Sequence, residues 1–114
     1  MIVVAHDFNS QKAETFSAFS DLQAEGDLPF EADLDLFFVA GAGDKEWMPL
    51  ADALADLGFH TQWAEAEGDE PATLIATMPD QILSASAIWM VEEVATRVAI
   101  DHGFQPDGWG FAEG

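Results

Sequence analysis

The chain has 114 residues, 49% of them hydrophobic, and sets 22 Asp and Glu against three Lys and Arg for a formal net charge of −19. That length suits one domain, and nine Phe with four Trp provide the bulk of a packed core, so the acidity does not mark a disordered tail. Three dispersed cations cannot track a phosphate backbone or hold an anionic membrane surface, which excludes both and points to a basic partner steered in over a Debye length of about 8 Å.

Along the chain, Ile2-Val3-Val4-Ala5 is a short β-prone run, read as an edge strand or an ordered arm. Asn9 or Ser10 can cap a helix that carries Phe16, Phe19 and Leu22 on one face and stops at Gly26. Residues 27–33, with Pro29, read as a connection. Leu34 to Ala40 is the most strand-like run: Leu34, Leu36 and Phe38 share one face, and Asp33, Asp35, Phe37 and Val39 the other. The Gly41-Ala42-Gly43 turn leads to Asp44 as a plausible cap. A second helix follows with Trp47, Leu50, Leu54 and Leu57 in a stripe, Pro49 in its first turns and a start as late as Met48.

Phe59, Thr61, Trp63 and Glu65 alternate with His60, Gln62, Ala64 and Ala66, which predicts a second strand. Glu67-Gly68-Asp69-Glu70-Pro71 has turn chemistry, and Thr73 to Met78 is a third strand. Pro79-Asp80 introduces the longest helix, with a stripe of Leu83, Ala87, Met90, Val91, Val94 and Val98 and a closing Gly103. A Glu93–Arg97 pair at i, i+4 should add a few tenths of a kcal/mol. Phe104 to Phe111 is a last strand, entered through Asp107-Gly108. The order, a helix followed by β-α-β-β-α-β, is the split pattern of an α+β ferredoxin-like sandwich with an additional N-terminal helix. The expected organisation is one acidic domain over 1–114, with an arm and helix over 1–29 and the ferredoxin-like core over 30–114.

The lack of cysteine removes a disulfide framework, a thiolate metal site and a Cys nucleophile, and fits a reducing compartment. With no signal-like N-terminus and no apolar run near the ~20 residues of a membrane span, the expected location is cytoplasmic. His6, His60 and His102 lie far apart and read as surface or capping residues. The carboxylate groups Asp33/Asp35, Glu92/Glu93 and Glu65/Glu67/Asp69 have no metal-loop spacing and read as solvated surface. No nucleophile motif occurs, and Gly41 to Lys45 lacks the spacing of a phosphate loop. No catalytic residue, metal or cofactor is expected. Asp107-Gly108-Trp109-Gly110 is the most informative short stretch: Asp-Gly favours a turn or bulge with positive φ, and Trp109 either packs a corner or anchors a partner.

With Ala53-Leu54-Ala55-Asp56-Leu57-Gly58-Phe59 closing a helix and a terminal Gly-Phe-Gln-Pro-Asp-Gly-Trp-Gly, the chain resembles the RraB family, regulators of ribonuclease activity that inhibit ribonuclease E. The resemblance runs over most of the chain, and Asp107–Gly110 carries its sharpest match. It implies an acidic cytosolic protein of ferredoxin-like fold that binds the noncatalytic scaffold region of ribonuclease E, dampens its activity and alters the RNA-degrading complex. It brings no catalytic residues. The expected mechanism is occupancy of a basic partner segment. Candidate contacts are Asp33, Asp35, Phe37 and Val39 on the sheet face away from the helices, Glu67, Asp69 and Glu70 in the acidic turn, and Trp109. Two alternatives stay open. One is a small enzyme, or a small-molecule or metal-binding sensor, on the same fold. The other is a homo-oligomerisation module that buries the sheet face, which the N-terminal helix could also cover.

Overall fold

The structure is a computed structural model and describes residues 7–26, 28–40, 46–69 and 71–112. The Ile2–Ala5 run, His6, the Gly41–Gly43 turn with Asp44 and Lys45, and Glu70 lie outside the described residues. Seven elements follow in chain order: α1 (Phe8–Glu25), β1 (Glu31–Ala40), α2 (Met48–Asp56), β2 (His60–Ala64), β3 (Thr73–Ile82), α3 (Ala85–Asp101) and β4 (Phe104–Ala112).

The four strands form one sheet in the order β2-β3-β1-β4, every neighbouring pair antiparallel. β1 and β2 therefore run parallel on either side of β3, which is the split crossover of a ferredoxin-like α+β fold. The helices α2 and α3 contact one face of this sheet, and α1 packs on α3 rather than on a strand. Along β1 burial alternates without a break: Ala32, Leu34, Leu36 and Phe38 are buried, while Asp33, Asp35, Phe37 and Val39 are half-buried on the opposite side. Leu50 and Leu54 of α2, Ile88, Ala95 and Ala99 of α3, Leu74 and Ala76 of β3, and Phe104 complete the core. Each large side chain buried there contributes about 1.5–3 kcal/mol. Trp47, just before α2, stacks on Trp63 of β2 with centroids 5.3 Å apart, closing the end of the core where no side chain caps the helix.

Several expectations are met. Gly26 ends α1 in the left-handed conformation with φ 86°, α2 starts at Met48 with Pro49 in its first turn, and Arg97 bonds Glu93 at 3.1 Å. His102 caps α3, its Nδ1 lying 2.9 Å from the Val98 carbonyl oxygen.

Others are corrected. The cap of α1 is Asp7, which accepts from the Ser10 amide at 3.0 Å, instead of Asn9 or Ser10. Its buried stripe is Gln11, Thr15 and Phe19, one turn apart each, so Phe16 is exposed. β1 begins at Glu31 inside the expected connection, and β2 spans only His60–Ala64. Leu57 is exposed where a buried stripe residue was expected.

Pro79-Asp80 does not open a helix. It forms a bulge in β3, where Ala32 and Leu34 face Gln81 and Met78 and Asp80 takes φ 56°; a proline fits a strand at such a bulge because no ladder donor is needed there. The helix waits for Ser84, whose Oγ accepts from the Ala87 amide at 3.1 Å. α3 buries Ile88, Trp89, Glu92, Ala95, Thr96 and Ala99 and leaves Met90 and Val94 exposed. The buried face is thus rotated from the most hydrophobic stripe, because α3 faces the polar side of α1 as well as the sheet. β4 starts at Phe104 and carries Asp107-Gly108 within it as a second bulge.

The two faces of β1 predict unequal costs for neighbouring truncations. Leu36→Ala, at a side chain 1% exposed, should lower stability by about 2–5 kcal/mol. Val39→Ala on the other face should cost about 1 kcal/mol or less. Urea unfolding followed by tryptophan fluorescence checks both, and equal losses would contradict the assignment of faces.

Candidate functional site

The face of the sheet turned away from α2 and α3 is covered by no described element, since α1 lies against α3. Its composition follows from strand register. Phe37 pairs with Ile75, Val39 with Thr73 and Asp35 with Thr77, and β2 adds Gln62 beside Ile75 and His60 beside Thr77. The result is an apolar centre of Phe37, Val39 and Ile75 with Asp33 and Asp35 at one end.

Both carboxylates are held in place. Thr77 Oγ1 donates to Asp35 Oδ1 at 2.6 Å, and the Asp80 amide donates to Asp33 Oδ1 at 3.1 Å, across the β3 bulge. Of the described cations, Lys12 is on α1 and Arg97 is on α3, so no Lys or Arg among the described residues lies on this face. Glu67, Gly68 and Asp69 are exposed in the turn between β2 and β3, with Gly68 at φ 58°. That turn follows the Ala64/Thr73 pair, at the Val39 end of β1. Carboxylates therefore stand at both ends of the apolar centre.

Trp109 does not join that set. It pairs with Leu36 and so points to the helix side, where it is half-buried against the core. The bulge that turns the chain lies just before it: Leu36 and Phe38 face Trp109 and Pro106, and Gly108 takes φ 119°. Gly110 pairs with Asp35, and a Cβ built on it would lie 3.9 Å from Phe37 Cε2. The Asp107–Gly110 stretch is a structural corner whose alternate residues serve opposite faces of the sheet.

Trp109 instead lines a cleft of about 710 Å³ between α1 and β4, together with Gly108, Phe111, Glu14 and Leu22. The inner wall of the cleft holds a polar network that joins α1 to α3. Thr15 Oγ1 donates to Glu92, Gln11 Nε2 reaches Glu92 Oε2 at 3.2 Å and Thr96 Oγ1 at 3.0 Å, and all four residues are buried. Glu92 is 4% exposed, so the reading of Glu92/Glu93 as a solvated pair is corrected for its first member. A signal was present in the residue types. Gln11/Thr15 and Glu92/Thr96 are polar pairs one turn apart, the first on a helix whose only other buried residue is Phe19. What the sequence hides is that the two pairs face each other, although Thr15 and Glu92 stand 77 positions apart.

Among the described residues no group of three or more His, Cys, Asp or Glu could hold a metal ion. No described helix is long and apolar enough to cross a membrane.

Replacing Glu92 by Leu should remove the acceptor of the Thr15 hydroxyl inside the helix interface, at about 1–3 kcal/mol per buried group left without a partner. Amide exchange in α1 should accelerate more than exchange in β1 and β3. Unchanged protection of α1 would mean that the network does not hold it.

A family model described as regulator of ribonuclease activity B (RraB) matches residues 12–111, which takes in α1 from Lys12 onward, β1, β2, β3, α2, α3 and β4 up to Phe111. No curated protein matches the chain. The chain belongs to the RraB family.

Proposed function

We propose that this family member is an acidic protein-binding regulator that lowers ribonuclease activity by occupying a basic protein segment with its open sheet face. The observation that carries the reading is the uncovered apolar centre of Phe37, Val39 and Ile75 between Asp33/Asp35 and the Glu67–Asp69 turn. Carboxylates around an apolar centre suit a partner that mixes Arg or Lys with hydrophobic anchors, because the charges steer the encounter and the buried centre holds the complex. A chain of net charge −19 speeds such encounters by about 10–10³-fold at low salt. The partner that fits is the basic scaffold region of ribonuclease E, in the cytoplasm, where a bound regulator would exclude RNA or other members of the degrading complex. The reading gives this chain no catalytic residue and no cofactor.

Self-association through the same face is disfavoured by its chemistry. A two-fold axis across the sheet would bring Asp33 and Asp35 of one copy towards either the same pair or the Glu67–Asp69 turn of the other, and like charges in contact oppose binding. A cationic partner meets no such barrier.

Asp33→Lys with Asp35→Lys should weaken capture of a peptide from the basic scaffold region by about tenfold or more, mainly through slower association. The wild-type affinity should fall as salt rises. Because Asp33 and Asp35 also accept hydrogen bonds within the sheet, the matching Asp→Asn pair and a melting curve separate charge from folding. Unchanged capture by a folded double-Lys variant would remove the open face from the mechanism.

A further inference from the structure

The cleft between α1 and β4 lies on the side of the sheet opposite the proposed docking face, and docking there leaves it unused. Its volume of about 710 Å³ falls within the range of about 300–1,000 Å³ found for ligand pockets, more than one side chain would fill. The floor is apolar, built from Trp109, Phe111 and Leu22, and carboxylates of Asp7 and Glu14 stand at its α1 rim. Asp7 is fixed there by capping α1, accepting from both the amide and the hydroxyl of Ser10 at 3.0 and 2.8 Å. No Lys, Arg or His is among the described residues that line it.

At Gly108 the wall is bare backbone, since a Cβ there would meet nothing within 4 Å. Strand addition is a poor fit to this rim. β4 is an edge strand, but Pro106 and the bulge at Gly108 interrupt its ladder. Capture of side chains fits better. Of the two cations, arginine suits the lining, because a planar guanidinium stacks on an indole and forks a carboxylate. The molecule already makes such a contact on itself, with the Arg97 guanidinium 4.4 Å from the centroid of the Phe8 ring.

We propose that this cleft is a second receptor for a basic protein segment, taking an arginine whose guanidinium lies on Trp109 under the Glu14 carboxylate while a neighbouring apolar side chain enters beside Phe111. The inference rests on the reading of the protein as a binder of basic segments, and adds a surface separate from the open face. A partner held at both places would wrap the β4 edge of the sheet.

The test is a titration of the isotope-labelled full chain, followed by amide and indole resonances, with a capped peptide alternating arginine and leucine. The expected result is movement of the Trp109 indole N–H, the Gly108 amide and the amides from Ser10 to Ala18. At these resonances the affinity should be about tenfold weaker in Glu14→Lys and unchanged in the Asp33→Lys, Asp35→Lys variant. Glu14 is exposed, so its reversal leaves the fold intact. Trp109→Phe, which keeps a ring against the core, should weaken binding by a smaller factor.

Movement confined to Phe37, Gln62 and Ile75 would overturn the cleft and leave the open-face reading standing. Equal movement of the cleft with a peptide carrying glutamine for arginine would overturn the cationic specificity. No movement anywhere would overturn this inference and the binding of basic segments together.

Discussion

One constraint organises the molecule: the strict two-residue alternation of β1. Its buried side chains, Ala32, Leu34, Leu36 and Phe38, define which face receives the helices. Its intervening residues define the face left open. A slip of one residue would turn the carboxylates of Asp33 and Asp35 into the core and Leu34 and Leu36 out to water, so the register is enforced by the full energy of the core. The two bulges work within that constraint. Each inserts one residue into a neighbouring strand, at Pro79-Asp80 and at Asp107-Gly108, and lets β3 and β4 bend without disturbing the central strand. Asp33, bonded to the Asp80 amide, belongs both to the candidate binding face and to the device that holds the register.

The attachment of α1 obeys different physics. The helix reaches the rest of the fold through α3, and its buried stripe is two polar residues followed by Phe19. A buried carboxylate is costly unless its oxygens are bonded, and here Thr15 and Gln11 supply donors. Such a contact adds less to stability than an apolar one of the same area, yet it tolerates few alternative placements, because a shifted helix would strand Glu92 without donors. The position of α1 fixes the width of the cleft beside β4. A polar interface is therefore what shapes that cavity.

The sequence discloses this fold where local chemistry and tertiary context agree. The alternation of β1, the left-handed stop at Gly26, Pro49 in the first turn of α2 and the bulge at Asp107-Gly108 are all local demands, and each is met. It misleads where two elements share a burden. In α3 the richest apolar stripe includes Met90 and Val94, but the helix meets the sheet on one side and polar α1 on the other, so its buried face contains Glu92 and Thr96. Pro79 resembles a helix start because proline favours first turns, and only the pairing of β3 with β1 reveals a strand continuing past it. For the candidate site, Asp33, Asp35, Phe37 and Val39 were legible from period two alone. Ile75 and Gln62 needed the register between strands, and the placement of Trp109 on the far side needed the bulge that precedes it.

Among the described residues no strand pairs with the outer edges of β2 and β4, and this carries a further consequence. Proteins often guard such edges with lysine, but the strand residues here include none. With a net charge of −19, copies repel one another before their edges meet, so colloidal repulsion guards β2 and adds to the protection that Pro106 and the bulge at Gly108 give β4. That protection belongs to the solution as much as to the fold. Near the isoelectric point, about 4.1, the field collapses while the sheet edges remain. The acidity that draws in a basic partner is also what keeps the free protein apart from itself.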